Sequence, residues 1–396
     1  MKKVYVKGLN SCVNRKRDIV RYKRFIEKTG HVLVDNAEES DLTLLWTCAF
    51  RQDYRDNSLE EIKLLKDLCP ELIVCGCLPD IDEAALKRGF DGQFFKWRDE
   101  DENLPGIFGG NANDLNSLDL LSLGEKNIME DIDSFKDKHH DKKVLFADQF
   151  VKLFISEGCT YNCTYCAEIL AFPKYRSFPV NNLISKCRNL VETTRQYKVV
   201  LWADSLGDYG KDCDSSLPEL IETILSEVEG VTIGLEHLHP ARFIEYINEF
   251  EKLLSQKKIW LVDIPIQSAS NKILRLMNRK YKKEDIEQVF ELICNNSLVT
   301  NTKTHVIVGF PGETIEDFRE TVEFLIKHAP KSVLISGYMG SAGMPSEKLP
   351  DKIAPEEIRR RVLELVDELR RKNIVCNYDN SSISEEHFSK SFLDLE

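Results

Sequence analysis

Two successive α/β units, an N-terminal parallel-sheet domain and a partial (β/α)6 barrel, are predicted by three observations. Short apolar runs alternate with helical patterns over the first ninety or so residues. A second rhythm of the same kind starts at Val151 and repeats six times. Cysteines stand directly after strands in both units, where the loops of a parallel sheet open at one edge. A chain of 396 residues suits two domains better than one. A complete eightfold barrel would need about 250 residues by itself.

In the first unit Val4–Val6, Val32–Val34, Leu42–Trp46 and Leu72–Cys75 read as buried strands. Arg15–Thr29 and Asn57–Leu68 read as helices, the second capped by Asp56. Cys12, Cys48 and Cys77 follow the first, third and fourth strands. By themselves they read equally as three unrelated small buried residues. From Lys96 to about Asp148 the sequence turns polar and turn-rich, as a linker with some helix. His139 and His140 within it are adjacent surface histidines rather than metal ligands. The second unit offers strands at Val151–Ile155, Val199–Ala203, Thr232–Leu235, Trp260–Ile264, Thr304–Val308 and Ser332–Ile335. Helical patterns at Leu217–Val228, Arg242–Leu254, Lys283–Cys294 and Ile315–Lys327 lie between them, and Pro355–Lys372 closes the unit as an amphipathic helix. The boundaries expected are 1–95, a linker at 96–148, a barrel at 149–372 and a loosely held tail at 373–396.

Composition excludes several classes. The formal net charge is −12, with 66 acidic against 54 basic residues, which disfavours a general nucleic-acid binder. No signal peptide or long apolar run is visible, so a cytoplasmic protein with no membrane partner is expected. In such a reducing compartment 12 cysteines point to metal or redox chemistry rather than to disulfides.

The most informative segment is GCTYNCTYC, directly after the first strand of the second unit. Cys159, Cys163 and Cys166 have the spacing C-x3-C-x2-C. Three thiolates this close wrap one cubane iron–sulfur cluster at three of its four irons. The fourth iron is left for the amino and carboxylate groups of S-adenosylmethionine (SAM), whose reductive cleavage gives a 5′-deoxyadenosyl radical. A structural zinc site would want paired C-x2-C knuckles, and no second knuckle follows. Tyr165 fits the aromatic position that radical SAM enzymes carry before the last cysteine; a plain core aromatic is the alternative.

The sequence resembles the methylthiotransferase family of radical SAM enzymes over roughly residues 1–370. GLNSC, LLWTCAFR and VCGCLPD resemble the family's three auxiliary-cluster turns. WADSLGDYG, IPIQSASNKILRLMNRKY, VGFPGET and YMGSAGMPS resemble its barrel motifs, in the family's order. The resemblance implies two 4Fe–4S clusters and SAM as cofactors. It puts an auxiliary cluster on Cys12, Cys48 and Cys77 and the SAM cluster on Cys159, Cys163 and Cys166. It makes Tyr165, Asp204, Ser205, Gln267 and the turn Gly309, Phe310, Pro311 and Gly312 candidate SAM contacts. Cys75 competes with Cys77; alternation along the strand is expected to point the two apart, and Cys77 is preferred. Trp46 stands where the family has Asn, Asp204 and Ser205 where it has Gln and Asp or Asn, and an expected arginine is missing from YMGSAGMPS. Only about two dozen residues follow the closing helix, so the family's C-terminal TRAM domain is expected to be absent.

The implied activity is insertion of sulfur, as a methylthio group, at an unactivated C–H bond. Missing TRAM and acidic charge favour a peptide or protein side chain, with an electron donor such as flavodoxin or ferredoxin as partner. The alternatives are a tRNA methylthiotransferase, a radical SAM enzyme of different outcome (epimerisation, cross-linking or sulfur insertion without methyl) and a non-enzymatic electron carrier.

Overall fold

The computed structural model describes residues 1–9, 13–116, 118, 150–172, 174–294, 296, 299 and 301–378. Cys12, His139 and His140 lie outside them. The N-terminal sheet consists of β1 (Lys3–Gly8), β2 (Val32–Val34), β3 (Leu42–Thr47), β4 (Leu72–Gly76) and β5 (Gln93–Phe94). The strands are all parallel, in the order β2-β1-β3-β4-β5. β3 and β4 are buried along their whole length because helices cover both faces, which explains their unbroken apolar runs. Leu42, Leu44, Trp46, Ile73 and Cys75 fill one face, and Leu45, Leu72 and Val74 the other.

Three expectations for this unit need correction. β5 is too short to carry a pattern. The second helix runs Gln52–Lys66, five residues earlier than expected; Arg51 is its extended N-cap, and Asp56 lies inside it, paired with Arg55 at 2.8 Å. Asp53 sits in its first turn, where the helix dipole favours an acid. The segment from Lys96 is not linker at first: helices Trp97–Ile107 and Ala112–Asn116 pack on the sheet, burying Leu104, Phe108 and Leu115 with Phe25 and Trp46.

Among the described residues the second unit has eight strands rather than six: β6 (Val151–Glu157), β7 (Arg176–Ser177), β8 (Lys198–Ala203), β9 (Thr232–Leu235), β10 (Ile259–Asp263), β11 (Asn301–Val308), β12 (Ser332–Gly337) and β13 (Val375–Tyr378). Their order is β13-β12-β11-β10-β9-β8-β6-β7, with only β7 antiparallel. The six expected strands are present, flanked by the short β7 and by β13. β13 arises from the expected tail: it pairs with β12 from Ser332 to Ile335 and buries Cys376. The expected helix Arg242–Leu254 is two, Pro240–Glu245 and Ile247–Ser255, because Tyr246 leaves helical geometry at φ −114° and ψ 32°. Thr314 and Asp317 close a capping box on Ile315–His328, fixing where the chain turns back from β11. The main core lies between this sheet and its outer helices. Among the described residues no helix is long and apolar enough to cross a membrane.

Candidate active site between the two domains

The C-terminal ends of β6 and β8–β11 point toward the N-terminal sheet, and a cavity of about 580 Å³ lies where the two meet. Cys48 and Cys77 line it from the first domain, and Cys159, Cys163 and Cys166 from the second. All five are free thiols. The domains touch around it: Ala167, Ala171 and Met344 belong to the same apolar cluster as Cys77 and Leu78. The Arg17 guanidinium lies 4.0 Å over the Phe154 ring, Arg98 donates to the Leu170 carbonyl at 2.9 Å, and the Ser341 hydroxyl donates to the Phe50 carbonyl.

Cys77 reaches the cavity through the turn at Gly76. There φ is +88°, and an added Cβ would stand 2.4 Å from the Thr47 carbonyl oxygen, so only glycine fits. Cys77 N donates to that oxygen at 3.0 Å and begins the helix Leu78–Ile81. Cys75 stays inside the opposite core with no exposure and does not line the cavity. Strand alternation alone would put residues two apart on one face. The strand's end at Gly76 separates them, so the expected reason fails and it is the turn that puts Cys77, and not Cys75, on the cavity.

The loop of Cys159, Cys163 and Cys166 is pinned at several points. Gly158, at φ +81°, starts it and donates to Asp204 Oδ2 at 2.8 Å. Asp208 accepts from the Thr160 hydroxyl at 2.7 Å and is itself held by Arg242 at 2.6 Å. Thr164 donates to the Leu276 and Met277 carbonyls at 2.8 and 3.1 Å. Tyr161 stacks on His239 with ring centroids 3.8 Å apart. Arg279, which the sequence reading quoted without a role, binds the Pro265 carbonyl at 2.7 Å and stands 3.5 Å from Cys163 Sγ.

Burial pushes the Cys48 and Cys159 thiols up to about 12 and Cys166 well above its usual range. Buried thiols of this kind ionise only beside a cation. Sulfur-rich walls of a cavity this size, with no disulfide among the described cysteines, fit iron–sulfur clusters.

Of the expected SAM contacts, Tyr165, Asp204, Ser205 and Gln267 line the cavity. Desolvation raises the Asp204 carboxyl to about 8. Gln267 bridges to Val306 with φ +63° and donates its N–H to the His305 carbonyl at 2.8 Å. The turn Gly309, Phe310, Pro311 and Gly312 does not line the cavity. Phe310 is fully buried, edge-on to Tyr165 and Tyr338 at 6.2 and 5.1 Å. An added Cβ on Gly309 would stand 2.5 Å from Ile358, so this glycine serves helix packing. The turn supports Tyr165 from behind.

Sequence reasoning missed a buried polar group below the N-terminal half of the cavity. Glu100 accepts from Arg15 at 3.1 Å, from Trp46 Nε1 at 3.1 Å and from Gly76 N at 2.7 Å. Asp18 pairs with both Arg15 and Arg17 at 3.2 Å. Trp46 therefore has a buried acceptor in Glu100, and the tryptophan itself was the legible clue: a large polar-tipped aromatic in a strand interior needs a partner. It also missed His237, Asp263 and His305, which meet although one follows β9, one ends β10 and one stands inside β11.

An α/β barrel with three clustered cysteines at its strand ends defines a radical SAM protein. The Radical SAM superfamily model matches residues 153–325, and the model of Uncharacterized protein family UPF0004 matches residues 3–94. The chain thus joins a radical SAM domain to the N-terminal domain of methylthiotransferases, its relatives are methylthiotransferases, and that family uses two 4Fe–4S clusters and SAM. It is 28% identical to the "Probable threonylcarbamoyladenosine tRNA methylthiotransferase" of Pyrococcus horikoshii, over 94% of this chain and 87% of that one. It is 27% identical to the ribosomal protein uS12 methylthiotransferase RimO of Chlamydia pneumoniae, over 88% and 73%. Among solved structures, the radical SAM methyltransferase TsrM of Kitasatospora setae, with tryptophan substrate and a SAM analogue bound, superposes at a TM-score of 0.55 and 13% identity. That match covers 85% of this chain and 73% of TsrM, a likeness of fold.

Proposed function

We propose that this enzyme inserts sulfur, as a methylthio group, at an unactivated C–H bond of a peptide or protein side chain. The observation that carries the chemistry is the single cavity walled by the cysteines of both domains. Cys159, Cys163 and Cys166 would hold the SAM cluster; Cys48 and Cys77, with Cys12 from outside the described residues, would hold the auxiliary one. Bound there, the first cluster supplies the electron that cleaves SAM for hydrogen abstraction, and the second carries the sulfur to be delivered. The chain's own part is placement. Arg279 neutralises charge at Cys163, and Asp204 presents a carboxyl where the SAM ammonium would sit. Tyr165, backed by Phe310, walls the cavity beside Cys166. Apposed domains keep water from a reactive intermediate.

Two observations favour a peptide over RNA. The net charge is −12. Of the basic residues on and just after the closing helix, Arg359, Arg360, Arg361, Arg370, Arg371 and Lys372, three are held by acids. Arg360 bridges Glu357 and Glu364, Arg361 is buried on Glu313 at 3.0 Å, and Arg371 pairs with Glu368 at 3.3 Å. A helix so neutralised contributes little counterion release. The test incubates reconstituted enzyme with SAM, sulfide and reductant, and compares tRNA nucleosides and candidate peptides by mass. A peptide gaining a methylthio group is the expected result. A methylthio-adenosine derivative in tRNA with every peptide unchanged would overturn the substrate class.

A further inference from the structure

Besides the cysteines, the cavity wall carries a second set of metal-ligating side chains. His237 just past β9, Asp263 at the end of β10 and His305 inside β11 come together, with one ligand atom from each within 4.8 Å of the others. His305 Nε2 stands 3.2 Å and His237 Nδ1 3.8 Å from Asp263 Oδ2. The imidazoles meet at 90° with centroids 5.4 Å apart. Both histidines line the cavity.

We propose that His237, Asp263 and His305 bind one divalent first-row metal ion, zinc or iron(II), with its remaining positions open to the cavity for an oxygen of the substrate.

Three observations support the site. Asp263 has no exposure, and its Oδ1 has no hydrogen-bond partner, a state that buried carboxylate oxygens avoid unless something else binds there. His237 is a non-glycine residue at φ +62°, backbone strain of the kind held at functional sites. Its own N–H donates to Asp263 Oδ2 at 3.3 Å, so the strained turn aims its ring at the carboxylate. Charge is suitable too: the neighbouring cations Lys152 and Lys303 both bind Glu236, at 2.6 and 3.1 Å, which leaves Asp263 as the anion facing the two imidazoles.

Two imidazoles and one carboxylate, without thiolate, select a first-row divalent ion over a soft one, and three protein ligands leave room for exogenous ones. Such an ion would polarise or anchor a substrate carbonyl or carboxylate opposite the SAM cluster.

The test uses the anaerobically reconstituted holoprotein, whose cluster cysteines are occupied. After chelator treatment, zinc is titrated in competition with a chromogenic chelator, and iron is measured throughout. The expected result is one zinc bound per chain with unchanged iron. Asp263→Asn, close in shape, should weaken zinc at least ~10-fold. His237→Asn, whose side chain tolerates the left-handed backbone, should weaken it comparably and serves if the Asp263 variant fails to fold. No zinc uptake by the wild type, uptake only as iron is displaced, or wild-type affinity in the His237 variant would each overturn the proposal.

Discussion

Cys75 and Cys77 are two residues apart and occupy opposite sides of the N-terminal sheet. One is locked in a core; the other faces a cavity across Gly76. The account therefore expects unlike outcomes from like substitutions. Cys77→Ala should lose the auxiliary cluster, about half the iron of two four-iron cubanes. Cys75→Ala should keep all of it and lose about 1 kcal/mol of stability as a small core truncation. Iron analysis and denaturant midpoints check both, and iron loss in the Cys75 variant would reverse the assignment. At this scale the chemistry was legible where spacing is short. The cysteines of GCTYNCTYC meet because they are neighbours, whereas the meeting of Cys48 with Cys77 required a fold. His237, Asp263 and His305 were invisible because each stands alone on or beside a different strand.

Elements were legible where apolar periodicity is strong and obscure where buried polar groups do the holding. The helix Trp97–Ile107 begins WRDEDEN, which reads as solvated surface. In the fold Glu100 points inward to Arg15, Trp46 and Gly76, and the Trp97 ring lies 3.1 Å from the Arg15 guanidinium. Glu100→Ala would leave a buried arginine without this partner and two buried N–H groups short of an acceptor, at a cost of about 3–5 kcal/mol. Chemical unfolding of the protein should show it as a lower midpoint; a midpoint within about 0.5 kcal/mol of wild type would show the group to be dispensable. β13 was read as tail because four residues past a helix carry almost no pattern. It covers the edge of β12 and buries Cys376 and Ile374. Ending the chain at Asn373 should expose that edge, and light scattering on heating should record earlier aggregation than in the full chain.

At the scale of the molecule, the two α/β units and their order followed from rhythm in the sequence, but their junction did not. Nothing in the sequence marks Arg17 against Phe154, Arg98 against Leu170 or Ser341 against Phe50 as contacts, since each joins residues more than seventy positions apart. These contacts hold two cysteine sets on one cavity and so make a division of labour physically reasonable. The barrel set should suffice for SAM cleavage, while sulfur delivery needs both. That division is tested most directly by iron content and 5′-deoxyadenosine formation in three reconstituted proteins. The wild type should hold about eight irons and cleave SAM. Cys48→Ala/Cys77→Ala should hold about four and still cleave it, and Cys159→Ala/Cys163→Ala/Cys166→Ala should hold about four and form no 5′-deoxyadenosine. Unchanged iron in either variant, or SAM cleavage surviving loss of the barrel cysteines, would contradict the account.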